Sequence, residues 1–188
     1  QYQIREEMIP TEKLSFDEAV AKSKKFMADV SFVEELERIY SDENEKKYYG
    51  NPVHYKISAS NMESACEIVS LLAQALKSNN RLVGSRINRV YEIKKGCYDE
   101  PDFKNMFEKA QGNIVLFDLS GSAEMHNNYA SEYEEVIEYI NKLISKNHVK
   151  TLCIFVENTN HPGFASNFLA KVAEEIDIIE LKEGCGNR

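Results

Sequence analysis

No run of residues in this chain approaches the roughly eighteen consecutive apolar positions of a membrane-spanning helix, and the N-terminus is too polar for a signal peptide. Close cysteine pairs are missing too. Cys66, Cys97, Cys153 and Cys185 are widely spaced, so no C-x-x-C redox site or cysteine-based zinc site can be drawn from them. A positive balance is the third absence: 31 acidic residues against 23 basic ones leave a formal net charge of −8, and no global field attracts a nucleic-acid backbone. Arg81, Arg86 and Arg89 read as a solvated strand and loop. His54, His126, His148 and His161 form no H-x-x-x-H or Cys-His pairing, and Ser122 lacks a G-x-S-x-G elbow. No internal repeat or low-complexity segment is present. The expectation is a soluble cytoplasmic protein that binds neither membrane nor nucleic acid, with Cys66 and Cys153 as buried, reduced thiols.

With 188 residues the chain can bury one sizeable core. Its first 49 residues differ from the rest and predict a helical extension. Ser15 and Glu18 form a capping box ahead of Phe16, Ala19, Val20, Phe26, Met27 and Val30, and a second short helix carries Val33, Leu36, Ile39 and Tyr40. The polar run from Ser41 to Lys47 reads as a connector.

From Gly50 onward strand and helix patterns alternate. Strands are expected at Val53–Ile57, Val90–Ile93, Ile114–Phe117, Thr151–Val156 and Ile176–Leu181. Ser60 and Glu63 suggest a second capping box, opening an amphipathic helix with Met62, Ala65, Cys66, Val69, Leu72, Ala73 and Leu76 on one face. Pro101 opens a short helix through Phe107. Further helices are expected over Tyr133–Ile144 and Phe164–Val172. Five strands separated by helices predict a mainly parallel five-stranded sheet in a three-layer αβα sandwich.

Ligands of open α/β sheets bind outside the carboxyl ends of the strands. Those ends offer Ser58, Ser60, Asn61, Asp118, Ser120, Ser122, Glu157, Asn158, Thr159, Asn160 and His161. Asp118 is the most distinctive of them, delivered by the apolar run Ile114-Val115-Leu116-Phe117. It has a purely structural reading, in which it caps the loop through the amides of Gly121 and Ser122. Asn158 and Asn160 likewise serve as turn formers before Pro162.

A strand, a tight turn and a long helix over Val53–Leu76, then a strand ending in Asp118 and another ending in Asn158, resemble the first, third and fourth strands of an AAA+ domain of the P-loop ATPase class. The resemblance covers residues 50–188, with Phe32–Tyr40 resembling the helix before the first strand. It implies a P-loop type sheet, a magnesium-site role for Asp118 and a sensor role for Asn158. The phosphate loop G-x-x-x-x-G-K-[ST] is not matched. Ser58-Ala59-Ser60-Asn61-Met62-Glu63-Ser64-Ala65 has no glycine to let amides wrap a phosphate, no lysine to neutralise it, and alanine in place of the magnesium-binding hydroxyl. Leu119 stands where the water-polarising acid follows the Asp.

What the resemblance implies is therefore a degenerate domain without catalytic residues or a metal. Ser58, Ser60, Asn61, Asp118 and Asn158 would line a remnant nucleotide site that binds ATP or ADP weakly at most. The domain would serve assembly or partner binding within a larger multidomain ATPase, its partners being other proteins or other domains of the same chain, with room for a homo-oligomer. The chain opens on Gln1 and stops at Arg188 shortly after a Gly-Cys-Gly turn, so it reads as an excised piece without the family's helical lid. Two alternatives stand beside this. One is a small phosphate-processing enzyme using Asp118, since Asp-Leu-Ser-Gly-Ser resembles the D-x-D-G-T motif of haloacid dehalogenase-like phosphatases with Ser120 replacing the second Asp. The other is a pure protein-interaction module.

Overall fold

The computed structural model describes residues 3–25, 30–41, 54–91, 105, 109, 112–118, 152–159 and 178–182. Among these residues, strands β1 (Gln3–Met8), β2 (His54–Ala59), β3 (Arg86–Tyr91), β4 (Ile114–Asp118), β5 (Leu152–Asn158) and β6 (Ile178–Lys182) form one sheet. Three helices accompany them: α1 (Phe16–Lys25), α2 (Val30–Ile39) and α3 (Met62–Ser78). The strand order is β1-β3-β4-β5-β2-β6, with β1 antiparallel to β3 and every other pair parallel.

The fold is thus α/β with a mixed six-stranded sheet, which corrects the expected count of five. All five expected strands are present. The sixth is β1 (Gln-Ile-Arg-Glu-Glu-Met), which lies at the edge of the sheet among the described residues and exposes Arg5, Glu6, Glu7 and Met8, so no buried alternation marks it. The expected strand at Val90–Ile93 begins earlier, at Arg86, since pairing with Ile114–Phe117 draws the whole of Ile87–Val90 into the ladder. The helices expected over Tyr133–Ile144 and Phe164–Val172, the short helix after Pro101, and the connector after Ser41 lie outside the described residues.

One sheet face packs on the helices. Tyr55, Ile57 and Ala59 of β2, Ile87 of β3, Ile114 and Leu116 of β4, and Ile154 and Val156 of β5 share a core with Phe32, Leu36 and Ile39 of α2 and Ile68, Leu72 and Leu76 of α3. Each such fully buried aliphatic side chain contributes about 1.5–3 kcal/mol relative to its exposed state. The opposite face is dry in its centre as well: Val115, Phe117, Cys153 and Phe155 are fully buried, with Phe117 and Phe155 stacked at 5.3 Å. Continuous apolar strands are what burial on both faces requires.

Local signals set the helix ends. At α1 the capping box forms as expected, with the Ser15 amide donating to Glu18 Oε1 and the Glu18 amide donating to Ser15 Oγ, both at 3.2 Å. Helix α3 ends in a left-handed turn at Asn80 (φ 57°), where the Asn80 amide donates to Lys77 O and the Arg81 amide to Leu76 O. Asparagine tolerates that conformation at the position that usually takes glycine. The Arg81 guanidinium then donates to the Ile39 and Ser41 carbonyls, tying the end of α2 to the end of α3.

Candidate site at the carboxyl ends of the strands

The connections leaving β2 and β5 diverge. From β2 the chain crosses to β3 on one side of the sheet, and from β5 it reaches β6 on the other, beyond β2. Neighbouring strands with diverging connections define the topological switch point at which open α/β sheets hold ligands. Here that point lies between Ala59 and Asn158, which are register partners. The parallel ladder runs right up to this end, the Thr159 amide donating to the Ala59 carbonyl at 3.1 Å.

Four of the five candidate residues reach this end on the β2 side or beside it. Ser58 is buried in β2 on the face away from α3, the side of Lys56 and Glu157. Ser60 is exposed in the turn. Asn61 begins α3, and Asn158 closes β5 on the α3 face. Asp118 stands on that same face one strand further along, opposite Val156. The sheet therefore gathers the candidates at one end but divides them between two faces, with Ser58 turned away from Asp118.

The turn between β2 and α3 consists of Ser60 and Asn61 alone. Of the eight residues Ser58 to Ala65 that would correspond to a phosphate loop, the first two lie in the strand and the last four in the helix. No loop remains to wrap a phosphate. The first-turn amides are also engaged: Asn61 Oδ1 accepts from Glu63 N at 3.0 Å and from Ser64 N at 3.3 Å, and the Asn61 carbonyl accepts from Ala65 N. The N-cap is thus Asn61, which corrects the expected Ser60/Glu63 box. Asn61 has the extended backbone that a cap needs (φ −112°, ψ 110°). A helix N-terminus binds anions through its unsatisfied amides. Here the Asn61 side chain takes two of them, those of Glu63 and Ser64, and Glu63 adds a negative charge.

Asp118 is engaged too. Its Oδ2 accepts from Arg89 Nη2 at 2.5 Å across the β3–β4 pair, and both side chains are largely buried. Burial alone would lower the Arg89 pKa, but the hydrogen bond and charge of Asp118 outweigh it and hold the guanidinium above its ordinary value. Above the pair, on α3, sits Cys66. Burial pushes its thiol pKa up, opposed by Arg89 and reinforced by Asp118, Glu7 and Glu67. The sulfur is a neutral thiol at neutral pH. Arg81, Arg86 and Arg89, expected together as a solvated strand and loop, instead serve three separate contacts. Arg81 closes helix ends, Arg86 meets Glu6 at 3.1 Å, and Arg89 holds Asp118.

A magnesium ion does not fit these residues. The carboxylate at the end of β4 already faces a guanidinium, and a divalent cation there would have to displace it. Among the described residues, no group of three or more His, Cys, Asp or Glu side chains is arranged to hold a metal. The nearest lysine on β2, Lys56, lies on the other face and pairs with Glu157 at 2.8 Å. His54 sits at the opposite end of the sheet, where its Nδ1 accepts from the Cys153 amide at 2.9 Å and so leaves the ring proton on Nε2. Ser120, Ser122, Asn160 and His161 lie outside the described residues.

No protein-family model matches the chain, and comparison with curated protein sequences gives no match either. Among the described residues, no helix is long and apolar enough to cross a membrane.

Proposed function

We propose that the chain is a degenerate, non-hydrolysing AAA+-like domain of the P-loop ATPase class, serving assembly or partner binding within a larger multidomain ATPase. Three features support the reading. Strand β2 leads by a tight turn into the long helix α3; β4 ends in Asp118; and β5, which ends in Asn158, lies between those two strands. That order brings a sensor-like asparagine between the first turn and the strand-end acid, where it would face a nucleotide's phosphates in an active relative.

The observation that carries the loss of chemistry is Asn61. Its side chain takes the amides that a phosphate would otherwise bind, in a turn too short to form a cradle. Arg89 completes the loss by engaging Asp118. The same ion pair counts against a small phosphate-processing enzyme, whose nucleophilic or acidic carboxylate must reach substrate. Phosphate release from ATP by the purified chain is expected to equal the buffer blank. Turnover that Asp118→Asn abolishes would overturn the proposal and favour the enzyme reading.

A further inference from the structure

The outer edge of β1 carries an independent signal. Arg5, Glu6, Glu7 and Met8 are all exposed, Met8 at 64 %, and among the described residues β1 is the last strand on its side of the sheet. In an antiparallel pair the residues facing each other alternate between exchanging hydrogen bonds and turning their backbone groups away. The Ile9 amide donates to the Ser85 carbonyl, and the register continues regularly from there through Met8↔Arg86 to Gln3↔Tyr91. Ile9, Glu7, Arg5 and Gln3 therefore bond inward to β3. The N–H and C=O groups of Ile4, Glu6 and Met8 point outward.

We propose that this edge pairs with the same edge of a second copy of the chain, antiparallel about a two-fold axis at Glu6, joining two sheets into one. A two-fold axis normal to the sheet keeps each residue on its own face, so only residues of like parity can oppose each other. Three registers use the outward groups. Centred on Glu6, the register sets Arg5 opposite Glu7 of the second copy, and Glu7 opposite its Arg5, on one face. It also pairs Ile4 with Met8 of the second copy, and every outward group finds a partner. Centred on Arg5, it would oppose two arginines; centred on Glu7, two glutamates. Opposite charges facing each other across strands stabilise a pair, and like charges destabilise it.

The one like-charged contact left is Glu6 against Glu6 at the axis. Each of these carboxylates is already met by Arg86 of its own chain at 3.1 Å, on the face that both glutamates share. The charges that guard β1 against indiscriminate pairing thus favour the Glu6-centred register, in which the Arg5 and Glu7 charges face each other across the two copies. A ladder of five residues a side, Ile4 to Met8, buries little surface, so the dimer is weak and salt-sensitive.

Sedimentation velocity on the 188-residue chain over ~10 μM to ~1 mM tests this, with Glu6→Pro as the first variant. Proline removes the outward N–H of residue 6, which an edge strand tolerates, together with the exposed Glu6 carboxylate that meets Arg86, and leaves the inward ladder to β3 intact. The expected result is a wild-type dimer that forms with rising concentration and is at least ~10-fold weaker in Glu6→Pro. Arg5→Glu is expected to weaken it as well, and Arg5→Glu with Glu7→Arg to restore it. Hydrogen exchange gives a readout that does not depend on a variant's folding. Glu6 and Met8 amides should gain protection with concentration, while the Ile9 amide is protected throughout. A wild-type chain that stays monomeric, a dimer indifferent to Glu6→Pro, or a double swap that fails to restore pairing would overturn the proposal.

Discussion

Arg89 on β3 and Asp118 on β4 are joined at 2.5 Å across two neighbouring parallel strands, on the face that α3 covers. The pair turns the most conspicuous carboxylate of the chain into a structural element. Removing one member strands the other in a largely buried place. Arg89→Met is expected to destabilise the fold by about 2–4 kcal/mol, and Asp118→Asn by less, because an amide still accepts from the guanidinium. Urea unfolding of both single variants and the double variant reads the coupling directly.

A second buried acid depends on its donors in the same way. Glu35 of α2 is fully buried, its Oε1 accepting from Arg38 Nε at 2.7 Å and its Oε2 from the Tyr55 hydroxyl at 2.5 Å. Tyr55→Phe deletes one of those donors without opening a cavity. A loss of about 1–3 kcal/mol is expected, read as a shift in the urea midpoint at unchanged slope.

The N-cap gives a test on the candidate site itself. Asn61→Ala removes the acceptor for two first-turn amides and is expected to cost about 1 kcal/mol, whereas Asn61→Asp should be neutral or slightly stabilising. Thermal unfolding of the two variants beside the parent chain separates these outcomes.

At the other end of the sheet, Gly84 has no room for a side chain. A Cβ there would lie 1.9 Å from Asn113 Oδ1 and 2.5 Å from the Gly112 carbonyl. Asn113 Oδ1 meanwhile accepts from the Ser85 and Arg86 amides, so it cannot move aside without leaving them unpaired. Gly84→Ala is expected to cost at least about 2 kcal/mol. Adding Asn113→Ala should not rescue it, because the backbone carbonyl still blocks the space.

Alkaline pH should weaken the fold. Burial raises the pKa of Cys153 strongly and that of Cys66 less, from a common ordinary value of 9.0, and raises that of Tyr40 above 10.0. A group whose pKa is higher when folded stabilises the native state fully below its unfolded value, and that contribution fades as pH rises beyond it. Stability measured by urea unfolding is expected to fall as pH rises above about 9, and Cys153→Ala should flatten the slope. Cys153 should react with a thiol reagent only on unfolding.

Much of this architecture is legible in the residues. Ile114–Phe117 announces a buried strand, the three- and four-residue spacing from Met62 to Leu76 announces α3, and Ser15 with Glu18 announces the start of α1. Strand β1 is not legible, because an exposed edge is defined by its pairing with β3 and not by a buried face. The partner of Asp118 is equally hidden. Arg89 lies 29 residues earlier, and only the β3–β4 register brings the two together. Asn61 was within reach of the sequence, since asparagine caps as well as serine does, and Ser60 and Asn61 stand side by side.

The most direct test of the central claim, that the turn between β2 and α3 has no phosphate-binding capacity left, is calorimetric titration of the chain with ATP and ADP, with and without magnesium. No binding tighter than about 1 mM and no effect of magnesium are expected. Binding in the micromolar range that requires magnesium and is lost in Asp118→Asn would contradict the claim.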